Sequence, residues 1–150
     1  MASSVNQPTR APVVDGREVV IRLFDALEQR NAEALSALLA EDVVQITAFS
    51  PEGGLEPFER YDGRTAVIEH FTYVFGMFDI IELERTALFV SDDGSTVFVE
   101  ALGKNRLAGS GAFYHNRYVF KFVLQGNCVA EMIEYFNSVT FAQFAGEALG

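Results

Sequence analysis

A chain of 150 residues with 49% hydrophobic content is the size of one domain and buries a single substantial core, which argues against two independent domains. Its formal charge of −10, from 21 acidic against 11 basic side chains, argues against a nucleic-acid partner, because phosphate backbones are held by clustered Lys and Arg. No apolar run approaches the ~20 residues of a bilayer span, and the first fourteen residues lack the apolar block of a secretory leader. The expected setting is therefore cytoplasmic and reducing, with Cys128, the one cysteine, a reduced thiol that behaves as a small buried hydrophobe.

Residues 1–15, with Pro8 and Pro12 and few core formers, read as a mobile tail, leaving 16–150 as the domain. Val20, Leu23, Phe24 and Leu27 recur at helical spacing and predict an amphipathic helix over 17–30. Asn31 then caps a shorter helix whose apolar stripe is Leu35, Leu38 and Leu39. A β-rich run over 42–49 leads into a segment punctuated by Pro51, Gly53, Gly54, Pro57 and Gly63, expected as a loop. Val67, Phe71, Val74 and Phe78 restore helical spacing over 64–78.

From Asp79 the period shortens to two. A strand reaches the turn signal Asp92-Asp93-Gly94-Ser95, and a second pairs back over 96–106. After the small residues at 108–111, strands are expected over 112–124 and 128–137 about a turn at Gln125-Gly126-Asn127. A short helix over 139–149 closes the chain. Helices, a strand, a helix and four hairpin-linked strands specify an α+β domain with an antiparallel sheet and helices packed on one face.

Alternation sorts the long fourth strand into Tyr114, Asn116, Tyr118, Phe120 and Phe122 on one face and His115, Arg117, Val119 and Lys121 on the other. The aromatic set is expected to line a cavity, and fourteen Phe and five Tyr without a Trp give such a cavity benzyl walls suited to a small apolar ligand. Glu100, Arg117 and Lys121, with Val119, Ile133 and Tyr135, belong to the opposite face, which is expected to pack against a second copy as a homodimer. His70 and His115 lie far apart without companion Cys or Asp, so neither a metal nor a cofactor is expected. His70 reads as a helix residue at the core edge and His115 as a surface residue.

The run Tyr114-His115-Asn116-Arg117-Tyr118-Val119-Phe120-Lys121-Phe122, the turn at Gly126 and Glu131-Met132-Ile133-Glu134-Tyr135-Phe136-Asn137 resemble the last hairpin of SnoaL-like and ketosteroid-isomerase-like proteins of the nuclear transport factor 2-like superfamily. The element order agrees, as do Ala40-Glu41-Asp42 and Gly63-Arg64. The resemblance implies a cone: a curved sheet wrapped around helices and enclosing an apolar pocket. Relatives isomerise, cyclise, dehydrate or hydrolyse ligands, and others only bind or scaffold, so fold alone does not choose a reaction.

The resemblance also turns Glu134 inward. A carboxyl in an apolar pocket has a raised pKa and suits general acid–base work near neutrality; the alternative is a purely ordering role, accepting hydrogen bonds from neighbouring Tyr or Asn. Tyr118 falls where ketosteroid isomerases place an oxyanion-hole donor, with Asn116 as a second donor; the alternative is a buried tyrosine satisfied by that amide. Thr47, Ala48 and Phe49 occupy the place of that family's base and supply no carboxylate. The positions of the acid, base and arginine of limonene-epoxide-hydrolase-like proteins fall at Ala101, Gly103, Glu134, Gln45 and Thr47, which retain one acid. The expected site is thus Glu134, Tyr118 and Asn116 for chemistry. Gln45, Thr47, Phe49, Phe71, Phe75, Ala101, Gly103, Tyr114, Phe120 and Met132 would surround the ligand.

Overall fold

Asp15 opens the first helix, its carboxylate accepting the Arg17 N–H at 3.1 Å, and α1 (Gly16–Glu28) buries Val19, Val20, Leu23, Phe24 and Leu27 along one stripe. The computed structural model describes residues 15–149; the tail expected over 1–15 lies, up to residue 14, outside the described residues. Asn31 caps α2 (Ala32–Ala37) by accepting the Ala34 N–H at 3.0 Å. Leu39 does not extend that helix but opens β1 (Leu39–Thr47). Sheet pairing takes over there, since Leu39 lies opposite Val129 and the Leu38 carbonyl accepts the Val129 N–H.

The segment expected as a loop contains a short strand, β2 (Glu59–Asp62), paired antiparallel with β1. Gly63 follows at φ +90°, a conformation that costs glycine little, and starts α3 (Arg64–Met77). At the far end of α3 the Arg30 guanidinium donates to the Phe75 and Phe78 carbonyls at 3.2 and 3.4 Å, answering acceptors a helix C-terminus leaves open. Then come β3 (Phe78–Val90), β4 (Thr96–Leu107), β5 (Phe113–Gln125), β6 (Cys128–Phe136) and α4 (Ser138–Phe144), ending in a π-helical turn, Ala145–Leu149.

The sheet is open, in the order β2-β1-β6-β5-β4-β3, and curved, with register shifts in β3/β4, β5/β6 and β1/β6 that favour bending. The expectation of an antiparallel sheet holds for four of its contacts and fails at the β1/β6 seam, which is parallel. Hairpins make only antiparallel neighbours, whereas β1 reaches β6 through the long excursion over α3 and the meander.

Helices α1 and α3 cover the concave face. Phe24 of α1 meets Phe120 and Phe122 edge-on, at 5.2 and 5.8 Å between ring centroids, and all three rings are buried. Each such ring contributes roughly 1.5–3 kcal/mol by leaving water. That packing fills one end of the cone with side chains. Toward the other end, α3 and α4 stand over Tyr114, Tyr118 and Glu134 without filling the space between. No helix among the described residues is long and apolar enough to cross a bilayer.

Candidate active-site cavity

Sheet register sets a row of side chains across four strands. Glu59 on β2 lies opposite Thr47 on β1, Thr47 opposite Glu134 on β6, and Glu134 opposite Phe120 on β5. Residues in register on adjacent strands project to the same side, so the two glutamates share the concave face with one threonine between them. Above the row is a chamber of about 230 Å³, continued by an inner one of about 70 Å³. Phe71, Val74, Asn105, Tyr118 and Glu134 border both.

Burial acts on every ionisable group in this space. It pushes the Glu134 carboxyl up to about 7, helped by the nearby charge of Glu59; the part of Glu134 left uncovered faces the chambers. Glu59 is raised for the same reason, partly offset by a hydrogen bond with Tyr61. Tyr118 is held well above its ordinary value by burial, and then by the charges of Tyr114 and Glu134. It therefore remains a phenol, and a donor, across the neutral range. His70 is pushed down by burial and stacks on Tyr61 at 4.3 Å, so it is a neutral imidazole at pH 7. Among the described residues no Lys or Arg lines either chamber.

Two buried amides complete the site. Gln45 is wholly buried, and its Nε2 donates to Glu134 Oε2 at 3.4 Å. Its Oε1 and the Oδ1 of Asn105 receive no hydrogen bond from the protein. Among the described residues no cluster of three or more His, Cys, Asp or Glu is arranged to hold a metal ion.

The site residues expected from sequence divide into three groups. Glu134, Tyr118, Thr47, Tyr114 and Phe71 border the main chamber, and Phe75, Phe120 and Met132 border the inner one. Gln45, Ala101 and Gly103 border neither: Gln45 holds Glu134, while Ala101 lies opposite Tyr118 in the ladder. A Cβ on Gly103 would sit 2.5 Å from Tyr118 Cε2, so this glycine makes room for the ring. Asn116 and Phe49 depart from expectation. Asn116 is consumed internally, donating to Tyr114 Oη and the Asn137 carbonyl and accepting from the N–H groups of Arg117 and Asn137. It braces the start of α4 and has no hydrogen-bonding capacity left for a ligand. Phe49 lies beyond the end of β1, is 53% exposed, and packs against Tyr135 on the far side of the sheet.

Four residues that border the chambers were not expected there: Glu59, Tyr61, Asn105 and His70. The first two were hidden by the glycines and prolines around β2, although Glu59-Arg60-Tyr61-Asp62 alternates like a strand, with Arg60 and Asp62 paired to each other on the outside. Asn105 was within reach, since counting by twos along β4 from Val97 passes through Val99, Ala101 and Gly103 to reach it.

Comparison with known proteins matches residues 20–132 to the model of the SnoaL-like domain. No curated protein matches the chain. Among solved structures, a Jannaschia sp. CCS1 protein described as a SnoaL-like polyketide cyclase superposes with a TM-score of 0.72, at 20% identity over 95% of this chain and 99% of that one. A phenazine biosynthesis-related protein from Pseudomonas aeruginosa gives 0.73 at 22% identity, covering 87% and 82%. An LEH-like epoxide hydrolase from M. tuberculosis gives 0.69 at 13%, covering 91% and 97%. Likeness at these identities establishes the shared ketosteroid-isomerase-like fold and no more.

Proposed function

The chain belongs to the SnoaL-like domain family, and from that premise and the chemistry of its cavity we propose that it binds a small, largely apolar ring- or carbonyl-bearing metabolite and rearranges it by cofactor-free acid–base catalysis. Isomerisation, cyclisation and dehydration all fit this description. The observation that supports it is one carboxyl, Glu134, raised to about 7 at the junction of two apolar chambers. Such a group gives up and takes back a proton at neutral pH with little cost.

In this reading Glu134 removes a proton beside a ligand carbonyl, and Tyr118 donates its hydroxyl proton in a hydrogen bond to the oxygen as negative charge develops there. Gln45 holds the Glu134 carboxylate toward the ligand. Return of the proton at another carbon completes an isomerisation; loss of a hydroxide with a proton completes a dehydration. Epoxide hydrolysis in the manner of the limonene-epoxide-hydrolase-like proteins is disfavoured, because Ala101 and Gly103 supply neither the acid nor the arginine that the resemblance would require there.

The test uses 3-cyclohexen-1-one, a ketone small enough for the main chamber, followed by NMR in D2O for migration of its double bond and deuterium uptake beside the carbonyl. The native protein accelerates both, with a rate that rises as pH passes through about 7. Glu134→Gln abolishes the acceleration while the ketone still shifts the chamber resonances. Binding without any acceleration by the native protein would leave a ligand-binding domain and remove Glu134 from the chemistry.

A further inference from the structure

We infer that the ligand of this cavity carries a protonated amine beside its apolar frame, held between Glu59 and Glu134 with an N–H directed to Asn105 Oδ1. The inference rests on the reading above in one respect, that this cavity is the ligand site. It does not need the ligand to be transformed.

Three features of the chamber require it together. Glu59 and Glu134 flank Thr47 on adjacent strands and act on each other electrostatically. No Lys or Arg among the described residues borders the chamber to compensate them, and the one imidazole, His70, is neutral there. A cation placed between the two acids relieves their mutual repulsion and the cost of burying each.

Asn105 supplies the independent observation. It is only 8% exposed, borders both chambers, and its Oδ1 receives no donor from the protein. Buried acceptors are answered in folded proteins, and an acceptor facing a cavity is answered by what enters the cavity. A neutral hydrocarbon or a bare ketone has no proton to give; an ammonium N–H gives one and brings charge for the two carboxylates. The ring faces of Tyr61, Phe71 and Tyr118 line the same space, and aromatic faces attract cations through the ring quadrupole.

A hydroxyl-bearing neutral ligand would also answer Asn105, so the experiment separates charge from donation. The full-length protein is titrated at pH 8 and 0.15 M salt with three probes of similar size: N,N-dimethylbenzylammonium, its carbon isostere isobutylbenzene, and benzyl alcohol. Chamber resonances are followed by NMR. The ammonium is expected to bind at least about tenfold tighter than either neutral probe. Glu59→Gln and Glu134→Gln should each weaken it by about fivefold or more while leaving isobutylbenzene within about twofold. Circular dichroism checks that both variants fold, and the comparison of probes on the native protein stands without them.

Neutral probes that bind as tightly as the ammonium would overturn the inference and leave the apolar-cavity reading in place, with tightest binding of benzyl alcohol pointing to a hydroxylated ligand. Ammonium binding that survives both Gln variants would also overturn it, since the attraction would then come from the net charge of −10 and not from this pair. If no probe perturbs the chamber, both the inference and the ligand-site reading fall.

Discussion

Glu134→Gln should make the protein more stable at alkaline pH while removing the group assigned to proton transfer. The Glu134 carboxyl titrates near 4.5 in an open chain and at about 7 in the fold. The folded state therefore holds this proton more tightly than the unfolded state does. The stability that comes from this preference is fully present below about 4.5, declines as pH rises, and is gone above about 7. At roughly 1.4 kcal/mol per pH unit the interval is worth about 3 kcal/mol at most, and water in the adjoining chamber reduces it to about 1–3 kcal/mol. Glutamine keeps the shape of the protonated acid and cannot ionise. The variant should thus match the native protein near pH 4 and exceed it by about 1–3 kcal/mol at pH 8, a gain of roughly 3–10 °C in Tm for a chain of this size. Urea unfolding at unit steps from pH 4 to pH 8 measures the difference directly. A difference that does not change with pH, or a variant less stable than the native protein at pH 8, would show that Glu134 is not desolvated and would refute the reasoning.

Gly103→Ala places a methyl group 2.5 Å from Tyr118 Cε2, and the ring must move; a loss of about 1–3 kcal/mol in urea unfolding is expected, with weaker probe binding, and unchanged binding would show that the position of Tyr118 does not shape the cavity. We also propose that the convex face of the sheet joins two copies, since Phe89 and Phe98 lie opposite each other there at 62% and 40% exposure, on a sheet that also carries the Phe49–Tyr135 pair. Light scattering should give twice the chain mass at micromolar concentration, and Phe98→Glu should halve it; a native monomer would sink the proposal.

The parts of the fold that were legible in the sequence are those where one period persists over many residues. Helix α1 and strands β3 to β6 repeat their pattern long enough for tertiary packing to agree with local preference. The β1/β6 seam was not legible, because a parallel contact leaves no hairpin turn in the sequence and is decided only when the whole sheet closes. Leu39 shows the same limit on a smaller scale: it continues the helical stripe of Leu35 and Leu38, yet its pairing with Val129 draws it into the sheet.

The site follows the same division, and that bears on its chemistry. The inward set on β5 was readable because alternation does not depend on neighbours, and its one exception in role, Asn116, is lost to the ligand only because the Asn137 backbone happens to face it. The second carboxylate was unreadable because β2 spans only four residues, too few for a period to show against the surrounding glycines and prolines. A reading confined to persistent patterns therefore finds a lone acid in an apolar pocket, for which a neutral ligand is the natural partner. The pairing of that short edge strand with β1 adds Glu59, and two buried acids without a resident cation pose a different electrostatic problem, one whose most economical solution is a positive charge on the ligand.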